Sequence, residues 1–200
     1  LGLLELDQGR QAFDALDEAD LGPFGQFRAQ FAVGRWMARN GRSQKARRML
    51  AAAGRELEEL AEPALLADAR ASLAEAWAAM GDTDAYRTQL DQARQFLDVI
   101  QRPGVKSLTL VRLADAQIAA GELDPARKTL LEAQAAVEAV PDPLMRELDA
   151  QHVAAAMVRH GLVPGVMDWA SELASPRLRA RIRLGAARTL LHVVSSRPGS

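Results

Sequence analysis

Along residues 103–140 the apolar positions fall three and four apart rather than alternating, which is the period of a helix with one buried face. Ala126, Leu130, Ala133, Val137 and Val140 form one such stripe. The pattern is interrupted at Gly121-Glu122-Leu123-Asp124-Pro125, which sets two strong helix breakers four residues apart. The same interruption recurs. Gly41, Gly81, Gly121 and Gly161 are spaced by 40, and Pro23, Pro63, Pro103 and Pro143 share that register. Apolar positions follow it: Val33, Leu73, Leu113 and Val153 align, each followed by a small residue, and so do Leu50, Leu90, Leu130 and Ala170. Small residues at fixed places let helices approach closely, and large neighbours fill the gaps.

Each unit therefore predicts two helices. Proline fits a first turn, where its missing N–H has no partner to lose. Glycine suits the left-handed residue just past a helix end. Asp142 before Pro143 and Ser175 before Pro176 are suited to cap the helices they precede. Asp124 is expected to cap the helix opening at Pro125, with Asp84 and Ser43 in the same part after their glycines. Gly161 is followed by Leu162-Val163-Pro164, which offers no such cap.

The expectation is an all-α domain over 1–200. It opens with a lone helix at 3–20, continues through units 23–62, 63–102, 103–142 and 143–175, and closes with a helix at 176–194, about ten helices in all. The fourth unit is short, because Pro176 follows Pro143 by 33 residues, so its second helix is expected to lose about two turns. Residues 177–184 alternate arginine with apolar residues like a strand, but Leu178, Ile182, Ala186 and Leu190 at spacing four favour helix.

The order leucine, small residue, turn glycine, alanine, large apolar residue, alanine resembles the tetratricopeptide repeat (TPR). In the third unit it is carried by Leu113, Ala114, Gly121, Ala126, Leu130 and Ala133, and in the first by Val33, Gly34, Gly41, Ala46, Leu50 and Ala53. The usual repeat is about 34 residues, so a 40-residue unit is similar to the extended TPR-like repeats of bacterial regulators and kinesin light chains. Tyr86 and Val166 depart from the expected alanine. The bulky residue expected early in the first helix is Gln30, Arg70, Leu110 or Ala150. The resemblance implies an α-α superhelix of antiparallel pairs.

Composition changes this picture little. The chain is 48% hydrophobic and 26% charged with a net charge of −1, a balance typical of globular proteins. No cysteine is present, so disulfides and thiolate metal sites are excluded. Arginine outnumbers lysine 22 to 3 in an alanine-rich chain, a bias common in GC-rich bacterial genomes. The first 20 residues hold six acids and one arginine, and the 28 after Glu172 hold six arginines and no acid. Leu1 in place of methionine suggests an excised piece, with any targeting segment outside it and a cytoplasmic setting favoured.

Chemistry is sparse. No phosphate-binding glycine loop, nucleophile elbow or HExxH pair is present. His152 and His160 lie eight apart, about 12 Å along one helix, too far to share a metal. Gly22-Pro23-Phe24-Gly25 falls at a unit boundary and reads as a turn. Trp36, Trp77 and Trp169 sit at core-like helical positions and are expected to pack inside, with a partly exposed anchor as the alternative for Trp36. The expectation is a non-enzyme that uses no cofactor or metal, contacts no nucleic acid and spans no membrane.

In proteins similar to TPRs, peptides bind along the first helices. The resemblance places Arg28, Phe31, Arg35 and Arg39 there, then Asp68, Ser72 and Glu75, and further on Arg112, Asp115, Gln151, His152, Arg159, Arg181 and Arg188. Seven arginines against three acids suit an acidic or carboxylate-bearing peptide, because the guanidinium donates two parallel hydrogen bonds. The competing reading ties these arginines to nearby acids by i,i+4 pairs on a solvated face. The function expected is a protein-interaction scaffold within a larger protein, with a ligand-responsive regulatory domain or an architectural spacer as alternatives. The ends also suit head-to-tail self-association, the Leu178/Ile182/Leu190 face of one copy meeting Leu6, Phe13 and Leu16 of another.

Overall fold

The computed structural model describes residues 21–173 and 175–195, and the described residues form an all-α fold. The helices are α1 (Gly22–Arg39), α2 (Ser43–Glu56, continued by the 3-10 turn Leu57–Glu59), α3 (Pro63–Ala79), α4 (Thr83–Leu97), α5 (Pro103–Ala119), α6 (Leu123–Glu138), α7 (Pro143–Arg159), α8 (Val163–Glu172) and α9 (Pro176–Ser195). The expected opening helix at 3–20 lies outside the described residues. The chain divides into two compact units, Leu1–Phe96 and Leu97–Ser200.

The 40-residue register is built from one backbone device used four times. Gly41, Gly81, Gly121 and Gly161 all stand at positive φ, 71–80°. Each glycine N–H bonds the carbonyl three residues back (2.9–3.1 Å), and the next N–H bonds the carbonyl five residues back (2.8–3.0 Å). This closes the orphan carbonyls of the ending helix in a Schellman motif. The residue after the glycine then accepts the first hydrogen bond of the following helix: Ala46 N–H to the Arg42 carbonyl, Tyr86 to Asp82, Ala126 to Glu122 and Val166 to Leu162. One residue thus ends one helix and begins the next.

That economy corrects the expected caps. With Glu122 already opening the helix, α6 begins at Leu123, so Asp124 and Pro125 fall inside its first turn and no side chain caps it. Pro125 is harmless there, since first-turn N–H groups have no intrahelical acceptor. Asp124 still meets the positive end of the helix dipole. Ser43 likewise is the first residue of α2, with Arg42 before it and no side-chain cap. Before α4 the cap is Asp82, whose Oδ1 accepts from Ala85 N–H at 3.2 Å, and not Asp84. Asp142 and Ser175 do cap, accepting from Met145 and Leu178 at 2.8 and 3.2 Å. α8 has no side-chain cap, as the sequence implies. Glu62, Arg102 and Asp142 are extended (ψ 112–121°), the conformation imposed on a residue that precedes proline. Gly22–Gly25, expected as a turn, instead form the first turn of α1.

In the first unit α1 and α2 pack along each other, with Ala46, Leu50 and Ala53 fully buried and Gly34 set against Leu50. α3 is buried on nearly all sides, from Leu66 to Trp77. In the second unit α5 packs on α6, and α7 meets α5, α6, α8 and α9. The stripe from Ala126 to Val137 on α6 is buried, as is Val140 just past its end. Polar groups beneath the Gly121 turn are satisfied: Thr129 Oγ1 donates to Gln117 Oε1 at 2.8 Å.

α8 has 10 residues against 16 in α6, the shortening expected of the fourth unit. α9 is helical through the stretch that alternates like a strand. Its Leu178 and Ile182 are buried against α7 and α8, whereas Leu190, the third residue of the face expected to self-associate, is half-exposed. The complementary residues Leu6, Phe13 and Leu16 lie outside the described residues.

Candidate functional site

On α1, Phe24, Phe27 and Phe31 recur one helical turn apart, and their rings stack at 6.0 and 5.6 Å between centroids. Phe27 is buried and anchors the ladder, while Phe31 is half-exposed. The Arg35 guanidinium lies 5.5 Å over the Phe31 ring, a cation–π contact. Its Nη2 is 3.8 Å from Glu75 Oε1 of α3, with both side chains 37% exposed. Arg28 and Arg39 are exposed on the same helix. Positions 28, 31, 35 and 39 follow helical spacing, so in this unit the expected residues share one face. Ser72 is not available to a ligand: it is buried and its hydroxyl donates to the Asp68 carbonyl at 2.9 Å.

In the second unit the expected residues are more committed. Arg112 is exposed on α5. One turn on, Asp115 holds His160 Nε2 at 2.6 Å and Arg159 Nη2 at 3.8 Å, both from the end of α7. Arg181 Nε and Arg177 Nε lie 3.4 and 3.5 Å from Glu147 Oε2, a buried oxygen that has no hydrogen bond. Arg35, Arg159 and Arg181 pair with acids on other helices. Gln151 is half-buried, His152 and Arg188 are exposed, and no group of three His, Asp or Glu among the described residues is placed to hold a metal.

Beside His152, Asp149 is buried with its Oδ2 pressed against Gly104, where a Cβ would collide with it. Burial pushes the Asp149 carboxyl up from its ordinary value, and the charge of His152 offsets this in part.

Two of the three tryptophans at core-like positions are buried, and Trp36 takes the alternative. Trp77 and Trp169 are buried, and Trp169 Nε1 donates to Glu138 Oε1 at 3.1 Å. Trp36 is half-exposed with the Arg42 guanidinium 5.0 Å over its ring.

A second candidate, not foreseen as a site, lies between α2, α3 and α4. It is a cleft of about 330 Å³ lined in part by Gly54 and Trp77. Arg70, Gln89, Gln92 and Glu58 bring polar groups to it. Arg70 is only 8% exposed. Its Nη1 donates to Gln89 Oε1 at 3.0 Å, whereas its Nε and Gln92 Oε1 are buried with no partner. Burial lowers the Arg70 pKa, and the nearby Glu58 carboxylate raises it back in part. The only trace of this in the sequence is an arginine where a bulky apolar residue is expected.

Comparison with protein-family models, with curated proteins and with solved structures finds no match for this chain.

Proposed function

We propose that this chain is a TPR-like interaction module that holds an acidic peptide segment of a partner protein on the face of α1 and α3. The observation that carries this reading is the stripe Arg28, Phe31, Arg35 and Arg39: a half-exposed aromatic ring flanked by arginines and itself stacked on a buried aromatic anchor. The Phe31 contact steadies the Arg35 guanidinium. Glu75 at 3.8 Å is beyond hydrogen-bonding reach, so it balances the charge without occupying the donors. An arginine fork held in this way suits a carboxylate, which it can meet with two parallel bonds.

The test is fluorescence anisotropy with a labelled peptide of alternating Glu and Leu, and with the same peptide carrying Gln for Glu. Binding is expected for the acidic peptide only, and the double variant R35E/R39E is expected to weaken it by about tenfold or more, equivalent to about 1.4 kcal/mol. Equal binding by the double variant, with its helicity unchanged, would remove the site from α1. A second reading, a domain that responds to a small ligand, is favoured by the cleft between α2, α3 and α4.

A further inference from the structure

The cleft exists because a side chain is missing. Gly54 lies inside α2 at an ordinary helical backbone position, where glycine is less favourable than alanine by about 1 kcal/mol. A Cβ there would stand 3.8 Å from both Arg70 Nη1 and Leu73 Cδ1, so a longer side chain would take up room beside the guanidinium. At the same register the next two units carry Arg94 and Gln134, both long.

The floor of the cleft is equally particular. The register that holds Arg70 holds Gln30, Leu110 and Ala150 elsewhere, so a buried cation is not required by the helix pair as such. Burying an arginine is expensive unless its donors are met. Of five N–H donors only one is accounted for, by Gln89, and Nε has no partner. Gln92 Oε1, an orphan acceptor, lines the same space, as does the Glu58 carboxylate. The site therefore presents an unmet cationic donor, an unmet acceptor with an acid beside it, and the apolar side chain of Trp77. Its volume lies at the small end of the range of small-molecule sites, about 300–1,000 Å³.

The geometry points to a binding site for a small amphiphilic amino acid: its carboxylate on Arg70, its ammonium toward Gln92 Oε1 and Glu58, and an apolar side chain on Trp77. A carboxylate supplies the paired acceptors that Arg70 lacks. An ammonium supplies the donor that Gln92 lacks. A simple inorganic anion satisfies only the first, and an apolar ligand satisfies neither. This assignment is independent of the peptide site on α1, because it uses other residues and a ligand of a different kind.

Calorimetric titration of the 200-residue protein with L-leucine and L-phenylalanine tests it, with leucinamide and inorganic phosphate as controls. Saturable binding is expected at a Kd of about 1 mM or tighter for at least one of the two amino acids, and a loss of about tenfold or more for leucinamide and phosphate. Arg70→Leu places at this position the residue that the next unit carries at 110 and is expected to abolish binding. Gly54→Gln places the residue found at 134, fills the cleft and is expected to do the same while leaving the buried arginine in place. Both variants are expected to keep the helical circular dichroism of the parent. Absence of saturable binding by either amino acid would overturn the proposal. So would equal binding by phosphate or leucinamide, or undiminished binding by whichever variant remains folded.

Discussion

At Gly121 the backbone stands at φ +80°, and an added Cβ would meet nothing within 4 Å. Any penalty for a side chain there is conformational, not steric crowding by neighbours, which makes the position a clean measure of the left-handed requirement. Gly121→Val is expected to lower stability by about 1–2 kcal/mol, and Gly121→Asn by distinctly less, because asparagine visits this region readily. Urea midpoints of the three proteins check the order, and a valine variant matching the parent would contradict it. Asp149 gives a residue-scale prediction of opposite sign. Its carboxyl is raised by burial, so the folded chain holds that proton more tightly than the unfolded chain does. The stability tied to it is fully present below the ordinary carboxylate pKa and is lost as pH rises through the raised value. Asp149→Asn should therefore melt higher than the parent at neutral pH, with the gap closing near about pH 3. A gap independent of pH would assign the effect to something other than the charge.

Among the elements, α6 shows how the buried stripe and its neighbours divide the work. Leu130 is fully buried and Leu131, one residue on, is 49% exposed. Leu130→Ala is expected to cost about 2–5 kcal/mol and Leu131→Ala no more than about 0.5 kcal/mol, read from chemical denaturation. The same contrast explains why the elements were legible in the sequence. Helix periodicity, proline at first turns and glycine after last turns are local signals, and a strict period of 40 repeats each of them. What was misplaced was equally local. Separate residues are expected to stop one helix at Gly121 and restart the next at Pro125, whereas the backbone does both at Glu122, two positions before the expected cap at Asp124. Composition does not carry that overlap, because a hydrogen bond from the main chain leaves no trace in side-chain identity.

Across the whole molecule, 22 arginines against 3 lysines, at a net charge of −1, invite an electrostatic account of stability. Among the described residues, the partly exposed ion pairs argue against it. Arg35–Glu75 and Arg159–Asp115 lie at 3.8 Å between partly exposed groups, and Arg47–Asp82 is partly exposed as well. Such pairs contribute about 0–1 kcal/mol each. Raising ionic strength from about 0.05 to 0.5 M, which shortens the screening length several-fold, is expected to shift the melting temperature by only a few degrees. A collapse in high salt would show that the pairs matter more than their geometry implies. The arginines of the α1 face are named by the TPR resemblance, and their helical spacing is what puts them on one face. The cleft is legible from neither: it depends on Gly54 standing beside Arg70, residues 16 apart on different helices, and neither is unusual alone.

The joint after each turn glycine has a consequence for how such a chain grows. Residues 42, 82, 122 and 162 are arginine, aspartate, glutamate and leucine, four unlike side chains serving one main-chain role. A seam that is indifferent to its letter is a seam at which genetic material can be cut and rejoined. A forty-residue cassette excised at one glycine and spliced at another arrives with its stop and its start already matched, so tandem duplication lengthens the protein without any new joint having to be invented.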